Sequence, residues 1–166
     1  MKRILIVGCS GAGKTTLARE LGKRLELPVH HLDRLWWLPG WVQESRENFD
    51  AKLAEILKTD RWIIDGDYSR TLPERLKYAD TVILLGYSRT LCLFRALKRI
   101  SRFRGAVRPD MTDGCPERLD WEFLRYVWNF NRDMRPRVEA ALESFSGELI
   151  RLKTPRETDA FLQTRV

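Results

Sequence analysis

The sequence predicts an α/β domain with a parallel sheet covered by helices on both faces. Short apolar runs of strand length alternate with segments whose apolar residues recur at helical spacing. The first run, Ile4-Leu5-Ile6-Val7, leads directly into Gly8-Cys9-Ser10-Gly11-Ala12-Gly13-Lys14-Thr15, which fits the phosphate-loop pattern GxxxxGK(S/T). At 43% hydrophobic and 32% charged residues, the 166-residue chain can bury one core.

Each element has a local reason. Residues 3–7 make a strand whose run Ile4–Val7 is continuously apolar, as in a strand buried on both faces. Residues 13–25 form a helix with Leu17, Leu21 and Leu25 four apart. Residues 28–32 make a short second strand. Residues 33–42 read as irregular, with Trp36, Trp37 and Trp41 around a Pro39-Gly40 turn. Ser45 caps a helix through residue 58, with Phe49, Leu53, Ile56 and Leu57 on one face. Residues 61–64 and 81–85 are the third and fourth strands. Residues 90–101 are helical, with Leu93, Phe94, Leu97 and Ile100 facing inward. Residues 101–114 contain Gly105, Pro109 and Gly114 and read as a loop. Helices follow at 116–131 and 136–145, then a last strand at 148–152. The string Thr154-Pro155-Arg156-Glu157 is a capping box that opens a final helix. We expect one domain over residues 1–166, with an acceptor-side region near 33–60 and a lid-type loop near 101–115.

Composition narrows the function. The longest apolar runs are four or five residues, far short of the roughly 18 of a membrane span. The apolar stretch after Met1-Lys2-Arg3 is also too short for a signal peptide, so a cytoplasmic protein is expected. Cys9, Cys92 and Cys115 are widely spaced, and His30 and His31 are adjacent, which makes neither a disulfide framework nor a zinc site. The net charge is +7, and residues 81–109 hold Arg89, Arg95, Lys98, Arg99, Arg102, Arg104 and Arg108 with no acid. Such a localised positive field suits a polyanion.

The glycine turn specifies the chemistry. Glycines let the backbone approach an anion, and successive N–H groups curl around a phosphate at the positive end of the following helix. Gly8, Ser10, Gly11, Ala12, Gly13 and Thr16 would shape the cradle. Lys14 would reach the β- and γ-phosphates of ATP, and the Thr15 hydroxyl would bind Mg²⁺. A second acidic site ends the third strand at Ile63-Ile64-Asp65-Gly66, where Asp65 can also hold Mg²⁺. Gly66 stands where motor ATPases carry the glutamate that polarises water. The guanine-reading NKxD motif is absent as well. Phosphoryl transfer to a bound acceptor fits better, because it needs cations that arrive late on a closing flap.

The order strand, phosphate loop, helix, then Asp-Gly after a later strand, then an arginine-rich helix and flap resembles the adenylate-kinase-like P-loop kinases. More narrowly, the stretches ILIVGCSGAGKTTLAREL, HHLDRLWWLPGW, RWIIDGDYSRTL, RTLCLFRALKR and RPDMTDGCPERLDWEFLRYVWNF resemble the small bacterial DNA topology modulation (FlaR-related) proteins. The resemblance implies a five-stranded parallel sheet of order 2-3-1-4-5, with ATP and Mg²⁺. It implies Arg95 over the adenine, Arg99 on phosphate and Arg70 near the substrate. The string Asp65-Gly66-Asp67-Tyr68-Ser69-Arg70 departs from the adenylate kinase pattern Asp-Gly-Phe-Pro-Arg.

On the acceptor side, Asp33 follows the second strand at the carboxyl edge of the sheet, where it could take a proton from an acceptor hydroxyl. Small-molecule kinases of the resembled fold use an aspartate in this place. Asp67 is a lesser candidate for the same role. Trp36 and its neighbours could wall the acceptor pocket or pack a short loop, and flap arginines such as Arg104 and Arg108 would neutralise charge. His30 and His31 receive no role. The expectation is ATP-dependent phosphoryl transfer to a small hydroxyl-bearing or phosphorylated acceptor, with Lys14, Asp33 and Arg99 catalytic. The alternative is a regulatory ATP-binding protein that grips DNA through its basic segment. A stacking surface on Trp121, Tyr126, Trp128 and Phe130 among Arg118, Arg125, Arg132 and Arg135 would serve that alternative.

Overall fold

The structure is a computed structural model and describes residues 1–165. Strand β1 (Arg3–Gly8) is the centre of a five-stranded sheet, flanked by β5 (Trp62–Asp65) and β6 (Thr81–Leu85). Strand β2 (Val29–His31) lies outside β5, and β7 (Glu148–Leu152) lies outside β6. All four pairings are parallel, with Leu5 opposite both Ile64 and Val82. Counting only these strands, the order is 2-3-1-4-5, as the resemblance implied.

The period of two in β1 divides the core. Ile4 and Ile6 face a layer built from α1 (Lys14–Leu25), α5 (Arg89–Arg102), α6 (Trp121–Asp133) and α8 (Pro155–Thr164), with Leu17, Leu21, Cys92, Val127 and Phe161 buried beside them. Leu5 and Val7 face α3 (Arg46–Leu57), α4 (Leu72–Tyr78) and α7 (Arg135–Leu142), where Phe49, Leu53, Leu72, Val138 and Leu142 are buried. No helix among the described residues is long and apolar enough to cross a membrane.

Four parts differ from the sequence reading. Residues 33–42 are ordered: a short helix α2 (Leu32–Trp36) runs into a small hairpin, β3 (Trp37–Leu38) with β4 (Val42–Gln43). Two-residue strands are too short to show alternation. Helix α4 was not expected; Pro73 opens it after a 3₁₀ turn over Ser69–Thr71. Helix α6 starts at Trp121 rather than 116, because the Asp120 carboxylate accepts the Glu122 and Phe123 amides and sets the N-cap there. Pro116 and Glu117 belong instead to the segment between α5 and α6, where Val107 bridges Pro116 and Arg104 bridges Glu117. Helix α5 also turns differently: Cys92, Ala96 and Ile100 are buried, while Phe94 and Leu97, expected inward, are exposed. The bounds of the other elements lie within a few residues of expectation.

Candidate active site

The carboxyl ends of β1, β5 and β2 open on one edge, as ligand sites in open α/β sheets do. There the backbone turns from β1 into α1 with positive φ at Gly8, Gly11 and Gly13. Gly11 has a second constraint: a Cβ on it would lie 2.2 Å from the Cys92 carbonyl oxygen of α5. Glycine therefore lets the loop and the basic helix lie in contact. Cys9 is buried and serves as packing.

Lys14 folds back over this loop. Its ammonium donates to the Gly8 and Cys9 carbonyls and to Asp67 Oδ2 at 3.2 Å. Burial pulls its pKa down, but the Asp67, Asp33 and Asp65 carboxylates outweigh it and the net shift is upward. Lys14 is therefore held as a cation at neutral pH. Asp67 also accepts the Gly8 amide at 2.8 Å, so it braces both ends of the loop. Arg75, fully buried, holds the strand-to-helix turn by donating to the Gly66, Asp67 and Tyr68 carbonyls. Burial lowers its pKa to about 10, against the pull of Asp67 and Tyr68.

Thr15 and Asp65 come together as the motif reading expected, with the Thr15 hydroxyl donating to Asp65 Oδ2 at 2.9 Å. The other oxygen, Asp65 Oδ1, lies 2.6 Å from His31 Nδ1. Burial lowers the His31 pKa, but hydrogen bonding and attraction to Asp65 raise it overall, so the imidazole fixes the carboxylate. Among the described residues no three His, Cys, Asp or Glu form a closed metal cage. A hydroxyl and a carboxylate beside a phosphate cradle suit a hard cation that keeps phosphate and water ligands, which is the chemistry of Mg²⁺.

Two cavities adjoin this centre. The larger, about 810 Å³, runs along the glycine loop to Tyr87, Arg95, Pro155 and Thr158. Five of the seven basic residues of the acid-free segment line it: Arg95, Lys98, Arg99, Arg102 and Arg108. The smaller, about 530 Å³, is walled by Trp37, Trp41, Tyr68, Phe123 and Tyr126. The two share Ser10, Lys14, Asp33, Gly66, Arg99 and Arg108. Asp33 Oδ1 there accepts the Tyr68 hydroxyl at 2.8 Å. Burial, with the Asp33 charge next, pushes the Tyr68 pKa up and keeps the phenol neutral.

Arg99 of α5 and Arg108 of the following segment converge on a carboxylate that the sequence did not single out. Glu117 Oε2 lies 2.7 Å from Arg108 Nε and 3.3 Å from Arg99 Nε. Neither approach is aligned as a hydrogen bond, so Arg99 Nε is buried without a hydrogen-bond partner at the junction of the cavities. Burial, then the neighbouring Arg108 charge, lowers the Arg99 pKa while Glu117 opposes them. A buried donor of this kind between a phosphate loop and a second cavity suits a phosphoryl group.

Three expected substrate contacts lie elsewhere. Trp36 packs edge-on against Phe49 and Tyr68, at 5.5 and 6.0 Å between ring centroids, and its neighbours Trp37 and Trp41 wall the cavity instead. Arg70 forms a two-point pair with Asp50, at 2.9 and 2.6 Å, on the surface. Arg104 is exposed and lines neither cavity, because its backbone is bridged to Glu117 at the lid base.

A family model described as an AAA domain matches residues 4–101, from β1 into α5. The chain belongs to the AAA domain family. The phosphate loop, Asp33, Asp65 and all but the last residue of the basic helix of this AAA domain fall inside that match, and the segment with Glu117 follows it. No curated protein matches the chain. Shikimate kinase from Acinetobacter baumannii, in complex with shikimate, superposes with a TM-score of 0.59 at 20% identity, over 98% of this chain and 89% of that one. Shikimate kinase from Bacteroides thetaiotaomicron gives 0.56 at 16% identity, over 98% and 94%. These likenesses establish that the AAA domain chain has the fold of P-loop kinases across nearly its whole length.

Proposed function

We propose that the protein transfers the γ-phosphoryl group of ATP to a hydroxyl of a small acceptor. One observation carries the reading: two cavities meet at Lys14, Asp33, Arg99 and Arg108. A hydrolase or a regulatory nucleotide site needs one cavity; transfer between two bound partners needs two that touch. The kinase fold of the structures it resembles agrees.

ATP would occupy the larger cavity, its base near Arg95 and Tyr87 and its phosphates against Gly8, Ser10, Gly11, Ala12, Gly13, Lys14, Thr15 and Thr16. Thr15 and Asp65 would hold Mg²⁺, which when bound supplies charge neutralisation to the phosphate oxygens. The acceptor hydroxyl oxygen forms a bond to the γ-phosphorus, the bond from that phosphorus to the β,γ-bridging oxygen breaks, and ADP leaves. Asp33 takes the hydroxyl proton at Oδ2, which accepts no hydrogen bond among the described residues. Lys14, Arg99 and Arg108 stabilise the charge on the transferring group, and the lid excludes water.

The narrower resemblance to topology modulation proteins suggests a DNA-gripping basic segment instead. Five of its seven cations line the nucleotide cavity, which favours phosphate chemistry within the site. A γ-labelled ATP assay over an acceptor panel tests the proposal. Label is expected in an acceptor and not in free phosphate, and Lys14→Ala is expected to lower transfer at least a hundredfold. Steady release of phosphate that ignores every acceptor would refute it.

A further inference from the structure

The smaller cavity carries information about what enters it. Its phosphate-facing cations sit beside carboxylates: Lys14 beside Asp67, Arg99 beside Glu117, and Arg108 between Glu117 and Asp110. If ATP draws those cations towards its phosphates, Asp67 keeps only the Gly8 amide and Glu117 is left without a cation. Asp33, Asp120 and Glu122 line the same cavity. Against these five carboxylates the acceptor wall contributes one further cation, Arg118. Arg70, a cation that could have balanced them, is tied to Asp50 on the surface.

The aromatic wall points the same way. The Trp37 and Trp41 rings meet edge to face at 5.3 Å, and Tyr68, Phe123 and Tyr126 complete the lining. Burial pushes the pKa of Tyr68 and Tyr126 upward, so both rings stay uncharged. Ring faces carry negative potential and attract cations. The chain itself supplies an example, with the Arg118 guanidinium 5.6 Å from the Trp41 ring centre. A carboxylate or phosphate entering here would meet repulsion from the acids and no free arginine pair of the kind that grips anions.

From this wall, and resting on the phosphotransfer reading above, we infer that the acceptor is a hydroxylated ring compound that is uncharged or carries an ammonium group. Anionic acceptors are excluded. The ring stacks against the Trp37–Trp41 side, an amine is met by Asp120 and Glu122 at the rim, and the reacting hydroxyl faces Asp33.

The test uses the full chain saturated with AMP-PNP and Mg²⁺, and reads thermal shifts from matched compounds that differ in charge. Suitable sets are glucose, glucosamine and glucuronate; adenosine and AMP; and a cyclitol with shikimate. The expected result is a shift from uncharged or amine-bearing members, with apparent affinity at least tenfold above their anionic counterparts. The double variant Asp120→Asn with Glu122→Gln keeps the α6 cap, since Asn and Asp cap equally well. It is expected to lose about tenfold in affinity for the amine-bearing member and little for the uncharged one. An anionic member that binds as tightly as its uncharged counterpart overturns the inference while phosphotransfer stands. A panel in which no uncharged or amine-bearing ring shifts the melt overturns it as well. Absence of any shift from AMP-PNP alone removes the phosphotransfer reading, and this inference with it.

Discussion

Glu117 is 6% exposed and holds two guanidiniums within ion-pair distance. Glu117→Gln keeps the shape, removes the charge and leaves Arg99 buried without an anionic partner beside Arg108, which keeps Asp110. Breaking a buried pair from one side costs about 3–5 kcal/mol. Urea unfolding is expected to show a loss of that order with an unchanged m-value. A loss under about 1 kcal/mol would mean that the arginines relax into solvent at little cost. Nothing local in the sequence marks this residue, because its partners lie on α5 and at the lid tip. The same holds for the His31 contact with Asp65 and for Arg75, both of which act on groups distant in sequence. Lys14, Thr15 and Asp65 were legible because a phosphate loop and a strand end announce their chemistry within a few residues.

At the scale of elements, Asp80 ties three strands together. Its carboxylate accepts the Lys2 and Arg3 amides at 2.8 and 2.9 Å and the Thr81 hydroxyl at 2.7 Å. Its backbone carbonyl accepts the Glu148 amide at the start of β7. Burial pushes its pKa up, but the Thr81 hydroxyl and the two amides outweigh burial and hold it below the usual carboxylate range. A depressed folded-state pKa means stability that is present in full above the unfolded value and lost as pH falls through the folded one. Asp80→Asn is therefore expected to destabilise the protein at pH 7, and the gap in urea midpoints should narrow below about pH 4. A gap that stays constant with pH would assign the loss to shape rather than charge. The same scale explains the misplaced start of α6. The aromatic spacing marked a helix, but Pro116 and Glu117 pair with the lid and Asp120 caps the chain later. The hairpin after α2 was marked by Pro39-Gly40. Its placement depends on the Gly40 amide donating to the Gly114 carbonyl at 2.9 Å, a contact between distant segments.

For the whole molecule, five of the seven cations of the acid-free segment line one cavity, and only Arg89 and Arg104 lie away from it. A ligand of the folded state raises apparent stability by about 2.7 kcal/mol at a hundred times its dissociation constant. AMP-PNP should raise the melting temperature, and added Mg²⁺ should raise it further. Thr15→Val is expected to erase the Mg²⁺ increment while keeping the metal-free shift. An increment that survives in Thr15→Val would move the metal away from this hydroxyl. Lid closure should also make the shift from a triphosphate exceed that from ADP, because Arg99 and Arg108 face the shared junction of the cavities.

Taken alone, the order of residues determined the layered α/β class, the anion cradle and its lysine, the Thr15–Asp65 pairing and the cationic character of the lid. Each of these depends on neighbours in the chain, on strand or helix period, or on a contiguous motif. Tertiary structure alone decided which cations face the site and which are cancelled. It turned Trp36 into packing and Arg70 into a surface pair, brought Trp37 and Trp41 to the wall, and set Glu117 between two arginines. Those outcomes come from contacts across the sheet edge, where Coulomb attraction and packing act through space between segments that share no local signal.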